Sequence, residues 1–71
     1  MSVPKISLKA ARVNAGLNQI EAAKRLGISV ETLSNYERGR SFPDVIMLKK
    51  LEDTYGVNYE NLLFFYQTNT V

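Results

Sequence analysis

The sequence predicts an all-α fold, a compact five-helix bundle around a central helix-turn-helix. Three observations predict it. Glycines and polar capping residues cut the 71 residues into short pieces. Each piece carries apolar side chains at helical spacing. No stretch alternates apolar and polar residues between hairpin turns, so no strand is expected.

The first helix is expected over 7–15, with Leu8, Ala11 and Ala15 along its inner side. Gly16 follows it, a residue suited to a left-handed helix end, and Leu17 continues the apolar side. Asn18-Gln-Ile-Glu21 has the spacing of a capping box and opens a second helix over 19–26. Ala22, Ala23 and Leu26 turn inward there, and Gly27 stops the helix. Ser29 caps a third helix over 30–38, which buries Ile28, Leu33 and Tyr36 and ends at Gly39. Arg40-Ser-Phe-Pro43 forms a loop, after which Asp44 caps a fourth helix over 45–55. Val45, Leu48, Leu51, Glu52 and Tyr55 trace one side of it, Leu51 taking the inward place at the charged interruption. Asn58 is expected to cap a fifth helix over 59–66, with Tyr59, Leu62, Leu63 and Tyr66 at i, i+3, i+4 and i+7. Residues 67–71 are expected to fray. Helices this short are unstable alone in water, so their apolar sides must meet in one core.

Composition narrows the function. A chain of 8.0 kDa holds one domain, here residues 1–71. At this size folding buries roughly 60% of the unfolded surface, too little for a deep catalytic cleft. Cysteine and histidine are absent, which removes disulfides, Cys/His zinc sites, thiol chemistry and the commonest general base. The seven carboxylates form no recognisable catalytic template, and the four scattered glycines make no phosphate-cradling loop. An enzyme is therefore not expected, nor is a cofactor or metal. The net charge of +2 and pI near 9.1 permit a nucleic-acid partner without establishing one. No apolar leader stands at the N-terminus, and the run from Leu62 to Tyr66 is too short to cross a bilayer. A cytoplasmic location is expected.

The informative segment lies between Gln19 and Arg40. Two short helices joined by Gly27-Ile-Ser29 have the sequence form of a helix-turn-helix. Gly27 accepts the positive φ of a sharp helix end, Ile28 can tuck under the turn, and Ala23 lets the helices approach closely. With Leu33 and Tyr36 inward, Val30, Glu31, Ser34, Asn35 and Arg38 face away. A major groove accepts such a helix. Asn35 can pair bidentately with adenine, Glu31 can accept from cytosine N4, and Val30 can touch a thymine methyl. Ser34 suits a base or a phosphate. The same stripe also suits a plain solvated helix face.

Gly16-Leu-Asn-Gln19, Glu21-Ala-Ala-Lys-Arg-Leu-Gly-Ile-Ser29, Leu33-Ser-Asn-Tyr-Glu-Arg-Gly-Arg40 and Pro43 resemble the repressor/Cro superfamily of phage and bacterial regulators. This is the XRE-type, lambda repressor-like DNA-binding domain. The resemblance runs from about Leu8 to Leu63, and Tyr36-Glu-Arg-Gly39 is its most specific part. It implies double-stranded DNA as partner. It also implies that Val30, Glu31, Ser34 and Asn35 sit in the major groove. Gln19 would approach a phosphate and steady the third helix, Asn18 would be chiefly a cap with a phosphate within reach, and Arg40 and Ser41 would lie against the backbone. Arg12 and Glu37 occupy the positions of a structural ion pair between the first and third helices.

Two positions depart from that pattern. Ala22 stands where the family usually has leucine and Ile20 where it is usually polar, so either the second helix is rotated or Ile20 fills volume behind Ala22. Cations able to face DNA are few: Arg38, Arg40, Lys24, Arg25, Lys5 and Lys9, of which only some can share a face.

The fifth helix carries more apolar surface than one core face needs. Phe64 and Phe65 then mark a dimer interface, or one of them closes over the first helix. A two-fold dimer would read a near-palindromic operator with half-sites about 10 bp apart. The expected function is a sequence-specific transcriptional regulator, a phage or prophage-type repressor or Cro-like protein. The alternative is an interaction module of the same fold, an antitoxin or co-regulator whose main partner is a protein.

Overall fold

The computed structural model describes residues 6–63. Within it lie strand β1 (Ile6–Ser7), helices α1 (Leu8–Asn14), α2 (Gln19–Leu26), α3 (Val30–Arg38) and α4 (Val45–Tyr55), a 3-10 turn (Tyr59–Asn61) and strand β2 (Leu62–Leu63). The strands pair in parallel, Ile6 with Leu62 and Ser7 with Leu63.

Local chemistry starts each helix where polar residues precede apolar ones. The Ser7 hydroxyl accepts from the Ala10 N–H at 3.0 Å. Asn18 and Glu21 exchange both bonds of a capping box: Asn18 Oδ1 accepts from the Glu21 N–H at 2.8 Å, and Glu21 Oε1 from the Asn18 N–H at 2.9 Å. Ser29 and Asp44 cap α3 and α4 through the N–H groups of Thr32 and Met47. Each of these bonds gives a partner to a backbone donor that the helix leaves unpaired.

One core gathers the inner sides. It joins Leu8 and Ala11 of α1, Leu17, the Ala22, Ala23 and Leu26 side of α2, Leu33 of α3, Leu51 and Tyr55 of α4, and Leu62. Ile28, Tyr36 and Leu48 pack against it from the edge.

The fifth helix expected over 59–66 is not formed in the described part. Tyr59–Asn61 is one 3-10 turn, and Leu62 is already extended at φ −89° and ψ 134°. Asn58 makes no side-chain cap. The Tyr59 N–H donates instead to Glu52 Oε2 of α4, at 2.9 Å. Leu62 and Leu63 then find backbone partners in β1, which a helix would deny them. Leu62 is buried as expected, whereas Tyr59 is exposed. Phe64, Phe65, Tyr66, the side chain of Leu63 and the tail 67–71 lie outside the described residues.

Three further expectations change. Ala15 is exposed because α1 ends at Asn14 and Ala15 is its C-terminal cap. Val45 is 80% exposed, because the first turn of α4 turns Met47 and Leu48, and not Val45, toward the core. Ile20 is 69% exposed while Ala22 is fully buried, so Ile20 does not fill the volume that Ala22 leaves.

Candidate nucleic-acid interface

The turn between α2 and α3 is built by Gly27 and Ser29. Gly27 has φ +74°, a left-handed conformation that costs most residues with a Cβ about 1–2 kcal/mol. Its N–H and that of Ile28 bond back to the carbonyls of Lys24 and Ala23, at 3.2 and 3.0 Å. These bonds close α2 before Ser29 restarts the chain. Ala23, 2% exposed, packs in the core between the two helices.

A buried polar network fixes how α3 sits on the rest. Arg12 Nε of α1 lies 2.7 Å from Glu37 Oε2 of α3, and both side chains are almost wholly buried. Arg12 Nη2 reaches Glu37 Oε1 at 3.3 Å, and Nη1 donates to the Leu17 carbonyl at 3.0 Å. Gln19 Nε2, at the start of α2, donates to Glu37 Oε1 at 3.0 Å. One carboxylate therefore gathers two helices onto α3, and its charge is answered within the protein. Tyr55 of α4 stands near the same group. Burial first, then the Glu37 charge, push its hydroxyl up from 10.0 to about 12, against the lowering effect of Arg12. That neighbour was invisible in the sequence, where Tyr55 is only the last apolar position of α4.

Outward from this network, α3 offers Val30, Glu31 and Arg38 as exposed side chains, with Ser34 and Asn35 half-buried. The Asn35 carbonyl accepts from the Arg40 N–H at 2.9 Å, holding the start of the following loop to α3. Arg40 and Ser41 are exposed on that loop. Asn18 is exposed with its oxygen engaged as a cap, and Gln19 has its amide turned to Glu37. Gln19 thus braces α3, and its backbone sits at the open N-terminus of α2, where N–H groups favour an anion. Phe64 and Phe65 lie outside the described residues. Other apolar groups stand exposed instead: Phe42, Val45, Ile46 and Tyr59.

Comparison with known proteins fits this geometry. A family model described as Helix-turn-helix matches residues 8–62. The chain belongs to the XRE-type helix-turn-helix family. This helix-turn-helix chain is 48% identical over 56 residues to the HTH-type transcriptional regulator ImmR of Bacillus subtilis, covering 79% of the chain and 44% of that protein. It is 42% identical over 52 residues to the uncharacterized HTH-type transcriptional regulator y4dJ of Sinorhizobium fredii, covering 73% and 68%. It is 36% identical over 58 residues to the cryptic phage CTXphi transcriptional repressor RstR of Vibrio cholerae, covering 82% and 52%. The chain thus spans about half the length of several curated relatives. Among the described residues no helix is long and apolar enough to cross a membrane.

Proposed function

We propose that the chain is a sequence-specific double-stranded DNA-binding transcriptional regulator, of the phage or prophage repressor or Cro-like kind, with α3 in the major groove. The observation that carries this reading is the pairing of a rigidly anchored α3 with an outward row of varied side chains. Leu33 and the Arg12–Glu37–Gln19 network hold the helix, while Val30, Glu31, Ser34 and Asn35 offer an apolar contact, an acceptor, a hydroxyl and an amide. Asn18, Gln19, Arg38, Arg40 and Ser41 contact phosphates and set the register. The printed names of the relatives, regulators and a phage repressor, support the same reading.

The protein acts as a homodimer on a near-palindromic operator. Support comes from a shallow apolar groove lined by Val45, Leu48, Lys49, Glu52 and Tyr59, and from exposed Ile46 beside it. Phe64 and Phe65, outside the described residues, are the further apolar side chains that the sequence offers for dimer contacts.

Selection of bound duplexes from random DNA tests the reading, followed by a salt titration on the selected site. A recovered consensus with dyad symmetry and a log–log slope near −5, for about six phosphate contacts, is expected. Equal affinity for selected and random duplexes at moderate salt would overturn it. Sedimentation of the complex reports whether two copies bind.

A further inference from the structure

Tyr55 is buried in the core, 6% exposed, and its hydroxyl has no hydrogen-bond partner among the described residues. A phenyl ring would fill the same place without leaving a polar group unpaired, so packing alone does not account for the phenol. It stands in the last turn of α4, where burial acts on it most, then the charge of Glu37, and in the opposite sense that of Arg12.

Glu37 has the complementary shortfall. A carboxylate offers about four acceptor positions. Arg12 Nε takes one on Oε2, and Arg12 Nη2 and Gln19 Nε2 take those on Oε1. A position on Oε2 is left in the same buried region as a donor without a partner. The bonds already made differ in permanence. Arg12 is 7% exposed and is tied to the Leu17 carbonyl as well. Gln19 is half-buried at the first position of α2, so its amide is the donor free to leave.

We propose that the Tyr55 hydroxyl is a positioning group held in reserve: when the Gln19 amide turns from Glu37 to a DNA phosphate, Tyr55 donates to Glu37 in its place and keeps α3 seated. The proposal rests on the DNA-binding reading above and adds a part for α4, which contributes none of the residues assigned to the interface. In the free protein Gln19 serves Glu37 and the phenol is idle; on DNA the two exchange. DNA selects the second arrangement by the contact it offers Gln19. Without the phenol, turning Gln19 outward strips a buried carboxylate of a bond, a cost that falls on the complex alone.

The test sets Tyr55→Phe against Gln19→Ala in the whole chain, with melts of the free protein beside binding to the selected site and to a random duplex. In the wild-type background, Tyr55→Phe is expected to leave the melting temperature at neutral pH unchanged. It should weaken both duplexes about three- to tenfold, with the salt slope unaltered because no charge is lost. In the Gln19→Ala background the phenol already serves Glu37, so the same change should lower the melting temperature and leave DNA affinity alone. A phenylalanine variant that binds like wild type, or whose lost affinity follows a lost melting temperature, overturns the proposal. Losses that simply add in the double variant do the same. Tyrosine labelled with ¹³C at Cζ gives a readout that does not depend on Gln19→Ala. The Tyr55 resonance, assigned by its absence from Tyr55→Phe, should move when the selected duplex is added, and a resonance that stays in place overturns the proposal while DNA binding stands. A wild type that fails to prefer its selected site overturns the functional reading itself, before any variant is compared.

Discussion

Arg12 Nε and Glu37 Oε2 are 2.7 Å apart, with side chains only 8% and 6% exposed. The pair spans 25 residues of sequence and joins the first helix to α3. Its desolvation cost offsets much of its attraction, so its value lies in fixing orientation more than in net stability.

Removing one partner should therefore be severe. Glu37→Ala leaves the Arg12 guanidinium buried with only the Leu17 carbonyl, a loss of about 3–5 kcal/mol. For a domain of this size that corresponds to a fall in Tm of more than about 10 °C. Replacing both residues with methionine should cost less than the single change. A Glu37→Ala protein that melts within a few degrees of wild type would show that the pair is not anchoring α3.

Gly27→Ala tests the turn. A Cβ at Gly27 meets nothing within 4 Å, so sterics with neighbours add no penalty. The φ of +74° alone should destabilise the variant, by about 1–2 kcal/mol in urea unfolding. Asn in the same place should recover part of the loss, because asparagine tolerates the left-handed region. Equal loss for both variants would point to a cause other than backbone conformation.

Asn35→Ala should reduce discrimination at one base step by about 1–3 kcal/mol and leave other positions unchanged. Arg40→Ala should weaken all sequences roughly alike and reduce the salt slope by about 1. Competition binding with single-base variants of the selected site separates the two patterns, and a uniform loss for Asn35→Ala would remove it from base reading.

Tyr55 makes a prediction about alkaline pH. Its hydroxyl is buried and has no hydrogen-bond partner among the described residues. Burial and the Glu37 charge raise the folded pKa from 10.0 to about 12. Between those values the unfolded chain loses the phenolic proton and the folded protein keeps it. Stability should thus be intact below pH 10.0 and decline as pH rises toward about 12. Tyr55→Phe removes that part of the decline while costing little at neutral pH, since no hydrogen bond is lost. An unchanged pH profile in denaturant melts would place the alkaline sensitivity elsewhere.

Much of the candidate site was legible in the sequence because it obeys local rules. Capping by Asn18, Ser29 and Asp44, and termination at Gly27 and Gly39, involve residues three or four apart, so α2, α3 and α4 begin and end where the residue types demand. The outward stripe of α3 follows from the same periodicity once Leu33 is buried. The convergence of Gln19, Glu37 and Tyr55 from three helices was not legible, because helical spacing relates residues within a helix and says nothing of how two helices cross.

By itself, the amino-acid order determined a helical domain with a helix-turn-helix whose second helix turns Val30, Glu31 and Arg38 outward. Tertiary structure alone decided the fate of residues 59–63. Their apolar spacing suits a helix, and that preference is weak over so few residues. Ile6 and Ser7, at the far end of the described chain, offer backbone partners that turn Leu62 and Leu63 into a strand. Packing likewise decided that Val45 and Ile20 face outward and that Tyr55 lies beside Glu37, since burial depends on which element arrives from a distance and not on a residue's own neighbours.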